Sequence, residues 1–187
     1  KYREVLRSDK KLDKIVRYTI GISLTVLYIS HYALRINLYG ITDTINLPFH
    51  LCSIAMILCI IQIFTKSKTI HSFVLLAGVL GAAISISNPI IGYNSRYYRY
   101  YQFMFAHGLL MIAPIYYLFV YKYIPSKKDV INGFIILQSL AIFMMIFNYY
   151  NNTDFFFMFL DPSKIEKFPM ISKLGGIPYY IIFVELF

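Results

Sequence analysis

Apolar residues are grouped along this chain into long runs, and short polar connectors separate the runs. A helix that crosses a bilayer needs about 20 mostly apolar residues. Five runs have about that length: residues 15–34, 47–64, 70–88, 101–121 and 130–150. A sixth opens near Ile177, and the chain holds only part of it. The pattern predicts an all-α protein, a polytopic transmembrane helix bundle with about six spans, the last one truncated.

The connectors predict one membrane domain. Most are short and polar, such as TKSK and KYIPSKKD, and neither an internal repeat nor a soluble domain interrupts the pattern. The connector at residues 151–176 is longer and carries the apolar FFFMFL, which is expected to lie along the interface or to re-enter the membrane. We expect residues 15–187 to form a single transmembrane helical domain, preceded by a basic cytoplasmic segment at residues 1–14.

The distribution of Lys and Arg predicts the orientation of the bundle. Of the 18 basic residues, 12 lie in the amino-terminal segment, TKSK and KYIPSKKD, which share one side of the predicted membrane. The other six lie on the opposite side. Because loops rich in Lys and Arg stay in the cytoplasm, the amino terminus is predicted to be cytoplasmic.

Composition supports a membrane protein and narrows its partners. The chain of 187 residues is 58% hydrophobic and 14% charged, which is far from the balance of an average soluble domain. Its net charge of +9 comes mostly from the connectors, where basic residues set topology and touch anionic lipid. This distribution argues for the membrane, and against nucleic acid, as the partner.

The two cysteines, Cys52 and Cys59, are not expected to form a disulfide. They are seven residues apart in one predicted helix, which holds their Cα atoms about 10 Å apart, whereas a bridge needs less than about 7 Å. Both are therefore predicted to be thiols, either inert core residues or one reactive site.

Polar side chains on four predicted spans fall at one depth. His50 and Cys52 lie about 5 to 8 Å inside the outer end of the second span, and His107 lies about 9 Å into the fourth. His31 and Asn88 lie near the outer ends of the first and third spans. Since ionisable groups within spans usually face a bundle interior or a wet cavity, a polar site in the outer third of the bilayer is predicted. Simple interfacial exposure is the alternative for both His31 and His107.

Helix geometry tests the stretch LPFHLCSIA, which opens the second span. At 100° per residue, His50 and Cys52 are about 200° apart and do not form a nucleophile and base pair within one helix. His107 is the predicted base for Cys52. Pro48 suits the first helical turn, so Cys52 would lie near the positive end of the helix dipole, which stabilises negative charge. The alternative for Cys52 is a small buried apolar residue.

Four more polar residues are predicted to bind a phospholipid head group, for which Arg is well suited. They are Asn88, Gln102, Arg96 and Arg99. His71 lies beside Lys66 and Lys68 and is expected at the surface. Two histidines at one depth leave haem as a weaker possibility, but no local metal or haem motif is present, so no metal and no cofactor are predicted.

Three segments together resemble a known family: LPFHLC, LAGVLGAAISISNP and YYQFMFAHGLLMIAPIYYL. They are similar to the bacterial YwaF-like integral membrane proteins, grouped with eukaryotic transmembrane protein 164, over about residues 15–150. The eukaryotic relative is described as a phospholipid acyltransferase that moves a polyunsaturated acyl chain onto a lyso ether lipid through an acyl-cysteine and a histidine. A more distant group of membrane hydrolases uses threonine and histidine.

The functional residues of the family match this chain only in part. His107 matches the family histidine of the fourth span, and His50 matches the histidine that follows the proline of the second. In the eukaryotic pattern the nucleophilic cysteine immediately precedes that second-span histidine, and this chain has Phe49 there. Cys52 is one turn displaced from that position. The resemblance therefore implies the fold more strongly than the mechanism.

Two functions follow as expectations. The first is a coenzyme-A-independent phospholipid acyltransferase or lipase-like hydrolase of the bacterial plasma membrane. Cys52 would be its nucleophile, His107 its base and His50 an orienting or oxyanion-stabilising group, and its substrates would be a membrane phospholipid or lysophospholipid. The second is a non-catalytic subunit that binds or transports lipid or a small solute in a histidine-lined pocket.

Overall fold

The computed structural model describes residues 2–42, 44–87, 89 and 92–157. These residues form helices joined by short loops, and they contain no strand. Six helices follow one another: α1 (Tyr2–Ser8), α2 (Lys10–Tyr39), α3 (Leu51–Thr65), α4 (Lys68–Ser87), α5 (Tyr98–Tyr121) and α6 (Lys127–Asn151). Short 3₁₀ turns occupy Thr44–Asn46 and Phe155–Phe157, and a π-helical turn, Val74–Gly78, interrupts α4. The predicted all-α fold is confirmed.

Four of these helices, α2, α4, α5 and α6, are long and apolar enough to cross a membrane. Helix α3 is equally apolar but has only 15 residues. Each of the five predicted runs thus corresponds to a helix. The sixth run, near Ile177, and most of the connector at residues 151–176 lie outside the described residues.

Helix α3 begins later than predicted, so the placement of Pro48 in its first turn was wrong. The Leu47 amide donates to the Thr44 carbonyl at 3.0 Å, which closes a 3₁₀ turn just before the proline. His50 is the N-cap residue of α3, with extended backbone angles (φ −66°, ψ 142°), and the first helical residue is Leu51. Cys52 is therefore the second residue of the helix.

Contacts divide the chain into two compact units, Lys1–Leu137 and Gln138–Phe187. In the first unit α2 packs against α3 and α5, and α4 packs against α5. Small residues allow these close approaches, as is usual between membrane helices. A Cβ atom on Gly21 of α2 would lie 2.9 Å from Cγ2 of Ile63 on α3, and one on Gly78 would lie 3.7 Å from Cβ of Ala55.

In the described part of the second unit, Asn148 organises the turn that follows α6. Its Nδ2 donates to the Phe155 carbonyl at 2.8 Å, and its Oδ1 accepts from Thr153 Oγ1 at 2.8 Å and from the Phe155 amide at 3.1 Å. The oxygen and the nitrogen of the Asn148 side chain thus both stabilise the turn that follows α6.

A buried ion pair within α2 is bonded by two tyrosine hydroxyls from the carboxy-terminal end of α5. Asp13, only 6% exposed, accepts from Arg17 Nε at 3.0 Å, from Tyr116 at 2.8 Å and from Tyr121 at 2.5 Å. Arg17 also donates to the Ile63 carbonyl at 2.5 Å. We call Asp13, Arg17, Tyr116 and Tyr121 the Asp13 cluster. Every charged group in it is hydrogen-bonded.

His71 lies beside this end of the bundle, and its expected exposure was wrong. It is only 1% exposed. Gln62 Nε2 donates to its Nδ1 at 2.9 Å, and its Nε2 donates to the Tyr123 carbonyl at 2.7 Å. Because both ring nitrogens bond to other segments of the fold, this histidine has a structural role.

Candidate functional site

A second group of polar side chains lies at the other end of α2, where it meets the starts of α3 and α5. Tyr98 at the start of α5 donates to Ser30 of α2 at 2.8 Å, so α2 and α5 run antiparallel. We call this group the polar site: Tyr28, His31, Tyr32, Arg35, His50, Cys52, Ser53, Arg99, Gln102 and His107. Its members lie on α2, at the start of α3 and on α5, three segments whose polar residues were predicted to share one depth.

His107 on α5 is the most sharply defined residue of the polar site. It is 3% exposed, and its ring stacks on Phe103 one turn earlier, with centroids 4.0 Å apart. Its Nδ1 lies 2.9 Å from the Phe103 carbonyl, which only accepts, so Nδ1 carries the proton of the neutral ring. Nε2 then bears the lone pair, and it is buried without a hydrogen-bond partner among the described residues. A neutral imidazole held in this way is ready to accept a proton.

Arg99, two turns before His107, is positioned by Gln102. Gln102, 3% exposed, donates from Nε2 to the Leu27 carbonyl of α2 at 2.9 Å and accepts on Oε1 from Arg99. Gln102 thus bridges α2 and Arg99, and its predicted contact with a head group stays a prediction. Within the described part of the chain Arg99 forms no ion pair, although it is half-buried.

The Arg99 guanidinium is the electrostatic centre of the polar site. It is close enough to the imidazoles of His31 and His107 and to the Cys52 thiol to interact with them electrostatically. A half-buried cation with no carboxylate beside it among the described residues favours an anion, either a phosphate or an oxyanion formed during reaction. The charge of Arg99 suits a phospholipid head group, and its binding of one stays a prediction.

Cys52 is half-buried at the second position of α3 and interacts with the side chain of the adjacent Ser53. Ser53 Oγ accepts from the Tyr32 hydroxyl of α2 at 3.1 Å. The ring of Tyr28, which interacts electrostatically with Cys52, lies 4.8 Å from that of Tyr32. The Tyr32 hydroxyl of α2 is thus bonded to the neighbour of Cys52 in α3.

Cys52 and His107 are not hydrogen-bonded to each other, because Nε2 of His107 has no partner among the described residues, and their pairing stays a prediction. Both side chains interact with Arg99. His50 interacts electrostatically with His31. Since His50 is the N-cap and lies outside the helix, the 200° separation from Cys52 that helical periodicity predicts does not apply to it.

Two predicted substrate-binding residues are not brought into the polar site by the described contacts. Arg96 is exposed in the connector before α5, where its backbone amide donates to Asn94 Oδ1 at 3.0 Å. Asn88 lies outside the described residues. Of the four residues predicted to bind a head group, Arg99 is the one whose charge faces the site.

Of the α2 residues that line the polar site, His31 alone was predicted to lie at its depth, and Tyr28, Tyr32 and Arg35 were not predicted. Tyr28, His31, Tyr32 and Arg35 follow the spacing i, i+3, i+4, i+7, which places them on one helical face. This periodic signal was present in the sequence. No comparable pattern in the sequence indicates Ser53, because its place in the site depends on a hydrogen bond to Tyr32 on another helix.

The described residues contain no group of three or more His, Cys, Asp or Glu side chains with the spacing of a metal site. His31 and His107 have ring nitrogens without a hydrogen-bond partner.

Comparisons with known proteins agree with the motif-based resemblance. The chain matches no curated protein and no solved structure at a significant level. The family model described as the TMEM164 family matches residues 1–187, which confirms the relationship to transmembrane protein 164. With several helices of membrane-spanning length and a match over its whole sequence, the chain belongs to the TMEM164 family of membrane proteins.

Proposed function

We propose that this protein is a phospholipid acyltransferase or lipid hydrolase that works through an acyl-Cys52 intermediate near the outer interface of the bacterial plasma membrane. The observation that carries the proposal is the state of His107. Its imidazole is buried, its Nδ1 proton is held by the Phe103 carbonyl, and its Nε2 lone pair has no partner within the described structure. This is the arrangement that a general base requires.

The first half-reaction follows from the groups around His107. The Cys52 thiol gives its proton to Nε2 of His107, and the sulfur attacks the carbonyl carbon of a lipid ester. The carbonyl oxygen becomes an oxyanion, which the Arg99 guanidinium stabilises. When this intermediate collapses, the C–O bond breaks and the leaving alkoxide takes the proton from His107. The acyl chain remains on Cys52 as a thioester, and His50 helps to orient the ester.

The second half-reaction decides between the two enzyme classes. A lysolipid hydroxyl that attacks the thioester gives an acyltransferase, and a water molecule gives a hydrolase. The distance between Cys52 and His107 has to shorten before the first proton transfer. Catalytic hydrogen bonds are often long without substrate and tighten in the substrate complex.

The membrane setting supports a lipid as substrate. Ester carbonyls lie just below the head groups, and the polar site lies at the ends of membrane-length helices, beside a connector rich in Tyr and Arg. With a cytoplasmic amino terminus, which the distribution of basic residues favours, this end of the bundle faces outward. A phosphate at the interface would then lie within reach of Arg99.

Covalent capture tests the proposal, and Cys59 supplies the matched control. The purified protein is incubated with a phospholipid that carries a fluorescent acyl chain, and label on the protein is measured before and after treatment with hydroxylamine, which cleaves thioesters. Wild type and Cys59→Ala should be labelled, whereas Cys52→Ala and His107→Asn should not. Because Cys59 is fully buried one heptad further along the same helix, it controls for the loss of a thiol. Labelling that survives in Cys52→Ala refutes Cys52 as the nucleophile.

A non-catalytic lipid-binding function is the second candidate. One observation favours it: the thiol of Cys52 and Nε2 of His107 are not hydrogen-bonded, although Arg99 offers charge to an anion. This function predicts that lipid remains bound without turnover and that Cys52→Ala binds it as well as wild type. Native mass spectrometry separates the candidates, because an enzyme leaves an acyl mass on Cys52 or a lysolipid product, whereas a binder returns only intact lipid.

A further inference from the structure

We propose that His31 is a second base in the polar site. It binds the acceptor hydroxyl of a lysoglycerolipid and activates this hydroxyl to attack acyl-Cys52. This inference rests on the proposed function, because acyl-Cys52 is its starting point. It adds an acceptor subsite on α2 to the Cys52 and His107 machinery.

The first observation is the unpartnered ring of His31. Its Nδ1 is buried and has no hydrogen-bond partner among the described residues. A buried polar atom left without a partner destabilises the protein, because it has lost its hydrogen bond to water. With its proton on Nε2, the ring presents a lone pair at Nδ1, so a ligand group that donates a hydrogen bond there removes this cost.

The second observation is the position of His31 between the other reactive groups. It interacts electrostatically with Arg99, His50 and His107. Its ring also meets that of Tyr32 edge-on, with centroids 4.9 Å apart, and the Tyr32 hydroxyl bonds to Ser53 beside the nucleophile. A hydroxyl bound to Nδ1 is therefore in the same cluster as the thioester.

The third observation is that His107 offers only one free nitrogen. The Phe103 carbonyl holds its Nδ1, so Nε2 serves the Cys52 thiol and then the leaving alkoxide. An acyl transfer has two different lipids to handle, a donor that leaves and an acceptor that arrives. Imidazoles on two antiparallel helices give each lipid a proton-transfer group of its own.

The helix that carries His31 also faces lipid. Val26 and Ile29 are 59% and 61% exposed in the isolated chain, and their apolar side chains suit contact with acyl chains. At 100° per residue they lie about 140° and 200° around α2 from His31, so they face the membrane and not the polar site. A lysolipid dissolved in the membrane is therefore close to α2, which favours it over bulk water as the acceptor.

The second half-reaction then balances. The acceptor hydroxyl gives its proton to Nδ1 of His31, and its oxygen forms a bond to the thioester carbon. The resulting oxyanion lies beside Arg99. When it collapses, the C–S bond breaks, the ester product leaves, and the sulfur of Cys52 receives the proton from His31. The thiol and both neutral imidazoles are restored, and no additional reactant is consumed.

The experiment follows the discharge of acyl-Cys52 in single turnover. Protein labelled by the fluorescent-acyl phospholipid is freed of donor and mixed with lysophosphatidylcholine, and the loss of label from protein is timed. Wild type, His31→Gln, His31→Phe and the lipid-facing control Ile29→Ala are compared. Because only molecules that already carry label are followed, misfolded protein does not enter the measurement.

The expected result is specific to the second step. Both His31 variants should acquire label at nearly the wild-type rate, and their discharge to lysolipid should slow by about 10²-fold or more, the usual contribution of a general base. Ile29→Ala should discharge like wild type. Discharge of either His31 variant at the wild-type rate overturns the inference and leaves the proposed function standing. Failure of both His31 variants to acquire label also overturns it, since His31 would then act in the first step. If wild type itself acquires no label, the proposed function fails.

Discussion

Removing the carboxylate of the Asp13 cluster should destabilise the bundle strongly, and removing its cationic partner as well should restore much of the stability. In Asp13→Leu, the Arg17 guanidinium keeps its bond to the Ile63 carbonyl but loses its carboxylate, and two tyrosine hydroxyls lose their acceptor. Breaking a buried ion pair from one side costs about 3–5 kcal/mol. The unfolded fraction should therefore rise by about a hundred-fold to several thousand-fold.

The double variant Asp13→Leu/Arg17→Leu should be less destabilised than Asp13→Leu alone, because no uncompensated charge then remains buried. Asp9→Ala is the matched control. Asp9 lies one turn earlier, is exposed and caps α2 through the amides of Lys11 and Leu12, so its loss should cost about 0.5–2 kcal/mol.

The assay uses a fluorogenic maleimide and the buried thiol of Cys59. In a Cys52→Ala background, Cys59 is the remaining thiol, and it reacts only when the core of the bundle opens. Its labelling rate during heating or in denaturing detergent reports stability for each variant. The reasoning is refuted if Asp13→Leu falls within the range of Asp9→Ala, or if the double variant is no more stable than Asp13→Leu.

Two further predictions concern close packing and charge. Gly21→Ala should lower stability by about 1–3 kcal/mol, the usual cost of overpacking, since its Cβ would lie 2.9 Å from a buried isoleucine methyl of α3. Gly108→Ala, which meets no atom within 4 Å, should be neutral or stabilising in the same maleimide assay. Arg99→Ala should weaken binding of a phospholipid by about ten- to a hundred-fold, as expected for a lost charge-assisted hydrogen bond, with partial recovery in Arg99→Lys. Arg96→Ala should bind as wild type, and equal losses for both arginines in a lipid-binding titration would contradict the assignment.

The sequence predicted the helices well because their apolar runs are set by the thickness of the membrane. It predicted boundaries less well. Helix α2 begins at Lys10, before the apolar run, because charged residues continue the helix beyond the hydrocarbon region. Helix α3 begins at Leu51 because a 3₁₀ turn and an extended His50 precede it. Hydropathy does not detect either feature.

The polar site was predicted by depth but not by pairing. Counting residues from the span ends places Cys52 and His107 at a similar depth, and both interact electrostatically with Arg99. Their catalytic pairing stays a prediction. The partner of Gln102 is a backbone carbonyl of α2, and the partners of His71 are Gln62 and the Tyr123 carbonyl. Such pairs depend on how each helix is rotated about its axis, and periodicity alone does not fix that rotation across an interface.

The two ends of α2 differ in how completely the polar atoms of their two clusters are paired. At the Asp13 cluster each charged group is bonded, so separating the helices there costs several strong interactions at once. At the polar site the imidazoles of His31 and His107 keep nitrogens without a partner among the described residues. Amide hydrogen exchange should accordingly be slow near Arg17 and faster near His31 on the same helix. On this expectation, a lipid would enter the bundle most readily between the helix ends that carry the polar site.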